Sequence, residues 1–296
     1  MSFTSEVSKE LASLQIKKTC CRKAIVLGIL CGAKKQENGE KYVAYFYERS
    51  VAELAAELLK KIFRHDGSFY ETNRAGRKNF VIEFNCSGVS EFLRRADTEG
   101  DREYIDGIFK CAGCRSAFLR GVFLGCGSIT DPKKGYHMEF SFSCKERAKT
   151  VARLMEEIIG RPGEIKRPTK YCLYYKNNGA ILDFLYCVGS NHASLYMANS
   201  FIERDIRNNE NRATNCVARN ISRSVVAAQK QINAIERLME SKRIESLDEE
   251  LRYTAKLRIE NESASLSELA QLHEPPISKS GLNGRLKKLV DAAEKI

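Results

Sequence analysis

Residues 114–126 read CRSAFLRGVFLGC, and residues 21–33, which lie 93 positions earlier, read CRKAIVLGILCGA. Both stretches contain CRxAxxxG followed by a β-branched residue, and both place a second glycine four residues after the first. A glycine inside a helix costs about 1 kcal/mol relative to alanine, so close packing must offset the cost. Glycines one turn apart leave a bare strip that another helix can approach. We therefore predict four helix-interface glycines, Gly28, Gly32, Gly121 and Gly125.

The sequence that follows each copy repeats as well. Hydrophobic periodicity predicts the same order of elements in both halves. The paired predictions are strands 42–47 and 136–142, helices 52–63 and 146–159, strands 80–84 and 171–175, and helices 89–95 and 180–188. The repeats cover about residues 20–96 and 113–190. A long unit that occurs only twice predicts a duplicated α+β domain over residues 1–200 with pseudo-two-fold symmetry.

Composition points to a polyanionic partner. The 296 residues are 43% hydrophobic, which is typical of a folded protein, and 49 lysines and arginines against 38 acidic residues give a net charge of +11. Residues 1–200 hold 32 basic and 23 acidic side chains, so the first domain is also a candidate for nucleic-acid contact.

The most apolar run, residues 24–33, is ten residues long, whereas a membrane span needs roughly 20. With a polar N-terminal stretch, this predicts a cytoplasmic protein without a membrane partner.

The eleven cysteines are odd in number, which argues against a disulfide framework. Cys111 and Cys114 form a CxxC pair, but a structural zinc site needs a second pair, and the adjacent Cys20 and Cys21 make a poor one. Most cysteines lie in apolar stretches, where a thiol behaves as a small hydrophobic group. We therefore expect reduced cysteines in the core, and neither a metal nor another cofactor.

From Asn199 the sequence becomes polar, and residues 201–242 are predicted to form a helical linker. Its candidate phosphate contacts are Arg207, Arg212, Asn215, Arg219 and Arg223. The last four share one helical face, with no acidic residue between them, and such a stripe suits DNA phosphates. A solvated face, or a set of loop-capping hydrogen bonds, explains the same pattern.

Residues 243–296 are predicted to form three helices. Ser246 and Glu249 have capping-box spacing and predict a helix to about Glu260, and Ser265 and Glu268 repeat that spacing before a second, short helix. Two prolines after His273 end the second helix, and Ser278 is predicted to cap a third. Inward-facing leucines of the third helix are Leu282, Leu286 and Leu289.

A short helix, a turn and a second helix with a basic polar face are typical of a helix-turn-helix DNA-binding domain. The first residues of the second helix contact base edges in such domains, which nominates Lys279, Ser280 and Asn283, whereas lysines further on suit phosphates. The candidate DNA-binding residues are Ser265, Glu268, Ser278, Lys279, Ser280, Asn283, Arg285, Lys287 and Lys288. A three-helix interaction module with an ordinary charged surface is the alternative.

The glycine helices resemble the interface helices of the LAGLIDADG homing endonucleases. The resemblance implies two helices packed at their glycines between saddle-shaped sheets, with an acidic residue at each helix end that holds a catalytic metal. Those positions hold Ala33 and Cys126 here, and neither suits magnesium, which prefers oxygen ligands. We therefore expect no catalytic residues and no DNA cleavage.

Three segments together resemble the WhiA family of bacterial regulators. They are CRSAFLRGVFLGCGSITDP at 114–132 with YHMEF after it, RN-x2-NR-x2-NC at 207–216, and SLSEL…PPISKSGLNGRLKKL at 265–289. Gly284 departs from the family, which usually has histidine there. The resemblance implies a transcription regulator tied to cell division, chromosome segregation and, in spore formers, sporulation. It implies double-stranded DNA as the partner, together with RNA polymerase or cell-division and other regulatory proteins, and a nucleoid-associated location.

Two other functions remain open at this point. One is a metal-dependent endonuclease whose acids lie at displaced positions such as Asp131. The other is a first domain that serves as a docking platform for protein partners.

Overall fold

The computed structural model describes residues 2–36, 41–74, 76–98 and 102–295. The chain divides into two compact units, Met1–Arg204 and Asp205–Ile296. The first unit contains both copies of the repeat and the second contains the C-terminal helices. Within the described ranges, no helix is both long enough and apolar enough to cross a membrane.

The first unit repeats one order of elements, helix-strand-strand-helix-strand-strand-helix. Helix α1 (Phe3–Ser13) precedes the first copy, and α5 (Arg102–Ile108) lies between the copies. The first copy consists of α2 (Thr19–Ile29) with a 3-10 turn that extends it (Leu30–Gly32), β1 (Lys34–Lys35), β2 (Tyr42–Phe46), α3 (Arg49–Phe63), β3 (Tyr70–Arg74), β4 (Arg77–Phe84) and α4 (Ser87–Ala96). The second consists of α6 (Gly113–Cys126), β5 (Gly127–Ile129), β6 (Met138–Phe142), α7 (Lys145–Ile159), β7 (Gly163–Arg167), β8 (Lys170–Tyr175) and α8 (Asn178–Val188).

Each copy builds one four-stranded antiparallel sheet with the same strand order, β1-β2-β4-β3 in the first and β5-β6-β8-β7 in the second. The central pairs correspond, since Tyr42 lies opposite Phe84 in one sheet and Met138 opposite Tyr175 in the other. The predicted duplicated α+β fold is confirmed.

Helices α2 and α6 pack main chain against main chain at their glycines. A Cβ atom added to Gly28 would lie 2.2 Å from the Phe118 carbonyl oxygen, and one added to Gly121 would lie 2.1 Å from the Ile25 carbonyl oxygen. A Cβ atom at Gly125 would lie 1.9 Å from the carbonyl oxygen of Ile29. No side chain fits at such distances, so the glycines define how closely the two helices approach.

The amphipathic helices α3 and α7 cover the sheets with their apolar faces. Ile62 is partly buried and Ile158 is exposed, although helical spacing predicts both in the core. The other apolar positions at that spacing are buried, namely Ala52, Ala55, Leu58, Leu59, Ala148, Val151, Leu154 and Met155. Phe123 of α6 lies with Phe140 and Phe184 in one aromatic cluster, with ring centroids 5.3–6.2 Å apart. One continuous core therefore joins the glycine helices to the elements around them.

Helix α9 (Asn191–Glu240) begins in the first unit and continues into the second. The second unit then contains a 3-10 turn (Arg243–Ser246), α10 (Glu249–Glu260), α11 (Leu266–Gln271) and α12 (Lys279–Ala293). Leu282, Leu286 and Leu289 of α12 are buried as predicted, and Ile235 and Leu238 of α9 lie in the same core.

The predicted cap at Ser246 is wrong. Ser246 lies in the 3-10 turn, where its hydroxyl donates to the Arg243 carbonyl oxygen, 2.7 Å away. Asp248 occupies the N-cap position of α10, and the helix begins at Glu249. A backbone turn that satisfies the serine hydroxyl locally thus competes with the capping box.

Candidate nucleic-acid interface

Helix α12 presents a polar surface at its N-terminal end. Ser278 is the N-cap, and its hydroxyl oxygen accepts a hydrogen bond from the Gly281 amide at 3.1 Å. The exposed side chains of the helix include Lys279, Ser280, Asn283, Lys287 and Lys288. Gly284 is also exposed, and an added Cβ atom would meet nothing within 4 Å. The three residues nominated for base edges thus lie free of the protein core.

Helix α11 is held by the predicted capping box. The Glu268 amide donates to the Ser265 hydroxyl at 3.3 Å, and the Ser265 amide donates to the Glu268 carboxylate at 2.7 Å. Hydrogen bonds from Ser265 lower the pKa of Glu268. Both side chains therefore cap the N-terminus of α11, and their contact with DNA stays a prediction.

Arg285 differs from its neighbours on α12. It is partly buried, and its guanidinium forms an ion pair with Glu250 of α10 at 2.8 Å. The guanidinium of Arg258 is buried and donates to the carbonyl oxygens of Ala264 and Asn261 at the α10–α11 turn. Arg285 thus links α12 to α10, and Arg258 links α10 to the turn that precedes α11.

The predicted phosphate-binding stripe lies on a solvent-exposed length of α9. Its members Arg212, Asn215, Arg219 and Arg223 are all exposed, as is Arg207, the remaining candidate phosphate contact. Within the described ranges none of the four arginines forms an ion pair. Their charges are therefore available to an external anion.

Ala33 and Cys126, at the ends of the two glycine helices, are poor ligands for a divalent metal. Ala33 is buried and has no ligand atom in its side chain, and the Cys126 thiol donates to the Val122 carbonyl oxygen at 3.2 Å. Burial raises the pKa of Cys126 well above its usual value, so this residue stays a neutral thiol. Magnesium requires hard oxygen ligands. These two residues do not fit the catalytic metal of a homing endonuclease.

A buried arginine occupies the end of the first glycine helix. The guanidinium of Arg147, which is only 2% exposed, donates to the carbonyl oxygens of Cys31 and Ala33 at 2.7 and 2.8 Å. It also forms a two-fold hydrogen-bonded ion pair with Asp97 at 2.7 and 2.8 Å. Sequence reasoning missed this pair, because nothing in the local pattern relates residues 50 positions apart.

Asp131, the acid nominated for a displaced catalytic site, is hydrogen-bonded to other residues of the protein. Its carboxylate accepts a hydrogen bond from the Lys133 amide at 2.9 Å and one from the Tyr196 hydroxyl at 3.5 Å.

Four cysteines come together at the N-terminal ends of α2 and α6, a grouping that the sequence did not predict because Cys20 and Cys21 are adjacent. The Sγ atoms of Cys20, Cys21, Cys111 and Cys114 all lie within 4.8 Å of one another. Hydrogen bonds from Cys114 and Cys21 lower the pKa of Cys111 to about 7, whereas burial and its thiol neighbours raise the pKa of Cys21 to about 12. The repeat contained the signal, since it aligns Cys21 with Cys114.

Comparison with known proteins gives a consistent result. Residues 115–207 match the family profile described as the WhiA LAGLIDADG-like domain, and residues 211–293 match that of the WhiA C-terminal HTH domain. The "Probable cell division protein WhiA" of Caldicellulosiruptor saccharolyticus is 32% identical over 100% of this chain and 96% of that protein. Its counterpart in Carboxydothermus hydrogenoformans is 33% identical over 100% of this chain and 98% of that protein.

Two solved structures have the same fold. The full-length WhiA of Thermotoga maritima aligns with a TM-score of 0.58 at 23% identity, covering 100% of this chain and 99% of that one. An N-terminal LAGLIDADG domain of WhiA aligns with a TM-score of 0.51 at 19% identity, covering 64% of this chain and 90% of that one.

The fold and the helix ends define a class, a duplicated LAGLIDADG-like domain without the metal-binding acids, followed by a helical domain with a helix-turn-helix. Within this class, the similarity to WhiA proteins over the full length of this chain identifies the family. The chain belongs to the WhiA family.

Proposed function

We propose that this protein is a sequence-specific DNA-binding transcription regulator that does not cut DNA. The observation that carries the proposal is the exposed N-terminal end of α12, where Lys279, Ser280 and Asn283 lie together beside the Ser278 cap. The major groove of DNA admits one α-helix, and the first residues of a recognition helix contact base edges.

The residue types suit this contact. An asparagine pairs through two hydrogen bonds with adenine, and a lysine donates to guanine acceptors. The leucines on the opposite face of α12 are buried, so the helix is held with its polar face outward. Lys287 and Lys288 then lie further along the helix, at positions suited to phosphates.

The stripe on α9 supplies a second set of contacts. Exposed arginines without acidic partners attract phosphates, and each neutralised phosphate adds affinity that depends on salt but not on sequence. We assign affinity to this stripe and specificity to α12.

The geometry of the glycine helices favours binding over cleavage. Ala33 and Cys126 provide no oxygen ligand, and the Arg147 guanidinium already lies on the main-chain carbonyls at the first helix end. A cation beside these carbonyls opposes the approach of a divalent metal.

The relatives carry the name of a cell division protein. We accordingly assign this chain a role in cell division, and the family resemblance extends the proposal to chromosome segregation and sporulation. We also propose a cytoplasmic location at the nucleoid, with RNA polymerase or a division protein as a further partner.

The test combines binding and cleavage in one experiment. Full-length protein is incubated with fragmented genomic DNA, with and without Mg²⁺, and retained fragments are sequenced while strand integrity is scored on a denaturing gel. We expect a defined set of intact fragments from the native protein and loss of that selectivity in the Lys279→Ala/Asn283→Ala variant. The matched control is Lys256→Ala, which removes an exposed lysine from α10.

Three outcomes would contradict the proposal. Equal selectivity in the native protein and the double variant would remove α12 from recognition. Strand breaks that require Mg²⁺ and persist in the double variant would indicate an endonuclease. Failure of the native protein to retain any DNA would favour the docking platform.

A further inference from the structure

We propose that Cys20, Cys21, Cys111 and Cys114 bind one zinc ion, in a closed tetrathiolate site that joins the N-terminal ends of the two glycine helices. This inference is independent of DNA recognition by α12, and it reverses our expectation from the sequence that the chain holds no metal.

The spacing of the sulfur atoms carries the argument. Cys111 Sγ lies 3.7 Å from Cys20 Sγ, 3.6 Å from Cys21 Sγ and 3.6 Å from Cys114 Sγ, and Cys21 Sγ lies 4.0 Å from Cys114 Sγ. A zinc–sulfur bond is roughly 2.3 Å long, so the edge of a regular tetrahedron of four sulfurs is about 3.8 Å. Four of the six sulfur–sulfur separations therefore match the spacing that a single zinc ion requires, and the other two do not exceed 4.8 Å.

The adjacent pair is a competent half of the site. Cys20 and Cys21 lie in the first turn of α2, yet both Sγ atoms lie against Cys111. Cys111 and Cys114 supply the other half at the start of α6. The Cys114 amide there donates a hydrogen bond to the Cys111 carbonyl oxygen at 3.0 Å. The pseudo-two-fold symmetry thus brings together two cysteine pairs about 90 residues apart in sequence.

The electrostatic surroundings suit a negatively charged centre. When the ion binds, the four thiols release their protons to solvent, so the centre carries two negative charges. Helix N-termini stabilise thiolates, and two of them meet here. In the sequence, Lys18, Arg22 and Lys23 lie within two residues of the first pair, and Lys110 and Arg115 are adjacent to the second. Arg115 also forms ion pairs with Asp106 and Glu157.

A disulfide accounts less well for the arrangement. A disulfide joins two sulfurs at about 2.05 Å. Here Cys111 lies at nearly equal distances from three other sulfurs, and no pair is set apart from the rest. Four protein ligands leave no open position on the ion, which assigns the site a structural role rather than a catalytic one.

The first experiment measures metal content. Full-length protein is purified with a thiol reductant and without chelators, and zinc and iron are counted by inductively coupled plasma mass spectrometry. We expect about one zinc ion per chain. We also expect loss of most of this zinc in the Cys111→Ser and Cys20→Ser variants. The control is Cys216→Ser, which removes an exposed cysteine of α9 and should keep its zinc.

A second measurement does not depend on whether a variant folds. Native protein stripped of metal is titrated with Co²⁺, and four thiolates in a tetrahedron predict intense visible d–d bands together with sulfur-to-cobalt charge transfer. Zinc should displace the cobalt, and removal of the metal with a chelator should lower the Tm by about 5 °C or more, since a structural zinc contributes to folding.

Three results would overturn the proposal. The first is that the native protein contains no metal and gives no tetrahedral spectrum with Co²⁺. The second is one iron ion per chain in place of zinc. The third is a disulfide among the four cysteines, detected in protein that was alkylated before reduction. Failure of α12 to bind DNA would leave the metal counts unchanged, so the two proposals are separable.

Discussion

The guanidinium of Arg147 lies 2.8 Å from the main-chain carbonyl oxygen of Ala33, at the end of the first glycine helix. Asp97 neutralises this buried charge, and the carbonyl of Cys31 accepts a second hydrogen bond. The chain therefore places its own cation at a helix end where the resemblance to homing endonucleases implies a metal-binding acid.

Replacement of Arg147 should be strongly destabilising. In Arg147→Met, Asp97 loses its partner and two main-chain carbonyls lose their donor, which should lower the free energy of unfolding by about 3 kcal/mol. Urea unfolding followed by circular dichroism measures the change. Arg49→Met is the control, because it breaks an exposed ion pair with Glu53 and should change stability by less than about 1 kcal/mol. Equal small effects in both variants would contradict the structural role of Arg147.

An alanine at Gly121 should separate the glycine helices. Its Cβ atom would lie 2.1 Å from the Ile25 carbonyl oxygen, so the two main chains must move apart at a cost of about 3 kcal/mol. Thermal unfolding of the full chain measures the loss. Gly107→Ala, at an exposed helical glycine of α5 where an added Cβ atom meets nothing within 4 Å, should be neutral or slightly stabilising. A stable Gly121→Ala protein would show that the helices do not pack as described.

The second unit should lose stability in mild acid through His273. Burial lowers the pKa of this histidine, and Arg285 lowers it further, whereas Glu250 acts in the opposite direction. Because the unfolded chain takes up the proton first, the stabilising contribution of neutral His273 is complete above the unfolded pKa, about 6.5, and falls as the pH drops through it.

Calorimetric melting between about pH 7.5 and 5.5 checks this dependence. His273→Gln should flatten it, and His192→Gln, at an exposed position, should leave it unchanged. The same slope in native protein and His273→Gln would assign the acid sensitivity to other groups.

Asn283 and Lys287 should affect DNA binding differently. Asn283→Ala should weaken binding to the preferred fragments by about 1–3 kcal/mol, because it removes a base contact, and should leave non-specific binding nearly unchanged. Lys287→Ala should weaken binding to all sequences and reduce the salt slope by about one, because it removes a phosphate contact. Fluorescence anisotropy with a selected and a scrambled duplex distinguishes the two. Identical behaviour of both variants would reject the assignment of roles.

The stripe on α9 should determine part of the salt dependence. Replacing both Arg212 and Arg219 with alanine should reduce the slope of log K against log salt by about 1.8, if each arginine neutralises one phosphate. Arg237→Ala, on the same helix at an exposed position outside the stripe, is the matched control. An unchanged slope in the double variant would identify the stripe as an ordinary solvated face.

The duplication was predictable from the sequence because both copies have the same glycine spacing and the same periodicity of hydrophobic residues. Periodicity records which face of an element is buried, and glycine spacing records where two main chains approach closely. The caps at Ser265 and Ser278 were equally predictable, since they depend on contacts within three residues. The cap at Ser246 was not, because a local turn competed for the same hydroxyl.

The amino-acid sequence alone predicts the repeat, the glycine helices and the polar face of the last helix, and it shows that positions 33 and 126 hold no metal-binding acid. Contacts between residues far apart in the chain become visible only in the folded protein. Arg147 reaches Asp97 and Ala33, and Cys20 and Cys21 meet Cys111 and Cys114. The physical reason is that periodicity reports burial along one element, whereas partners 50 to 114 residues apart are chosen by how the two copies pack around their shared glycine interface.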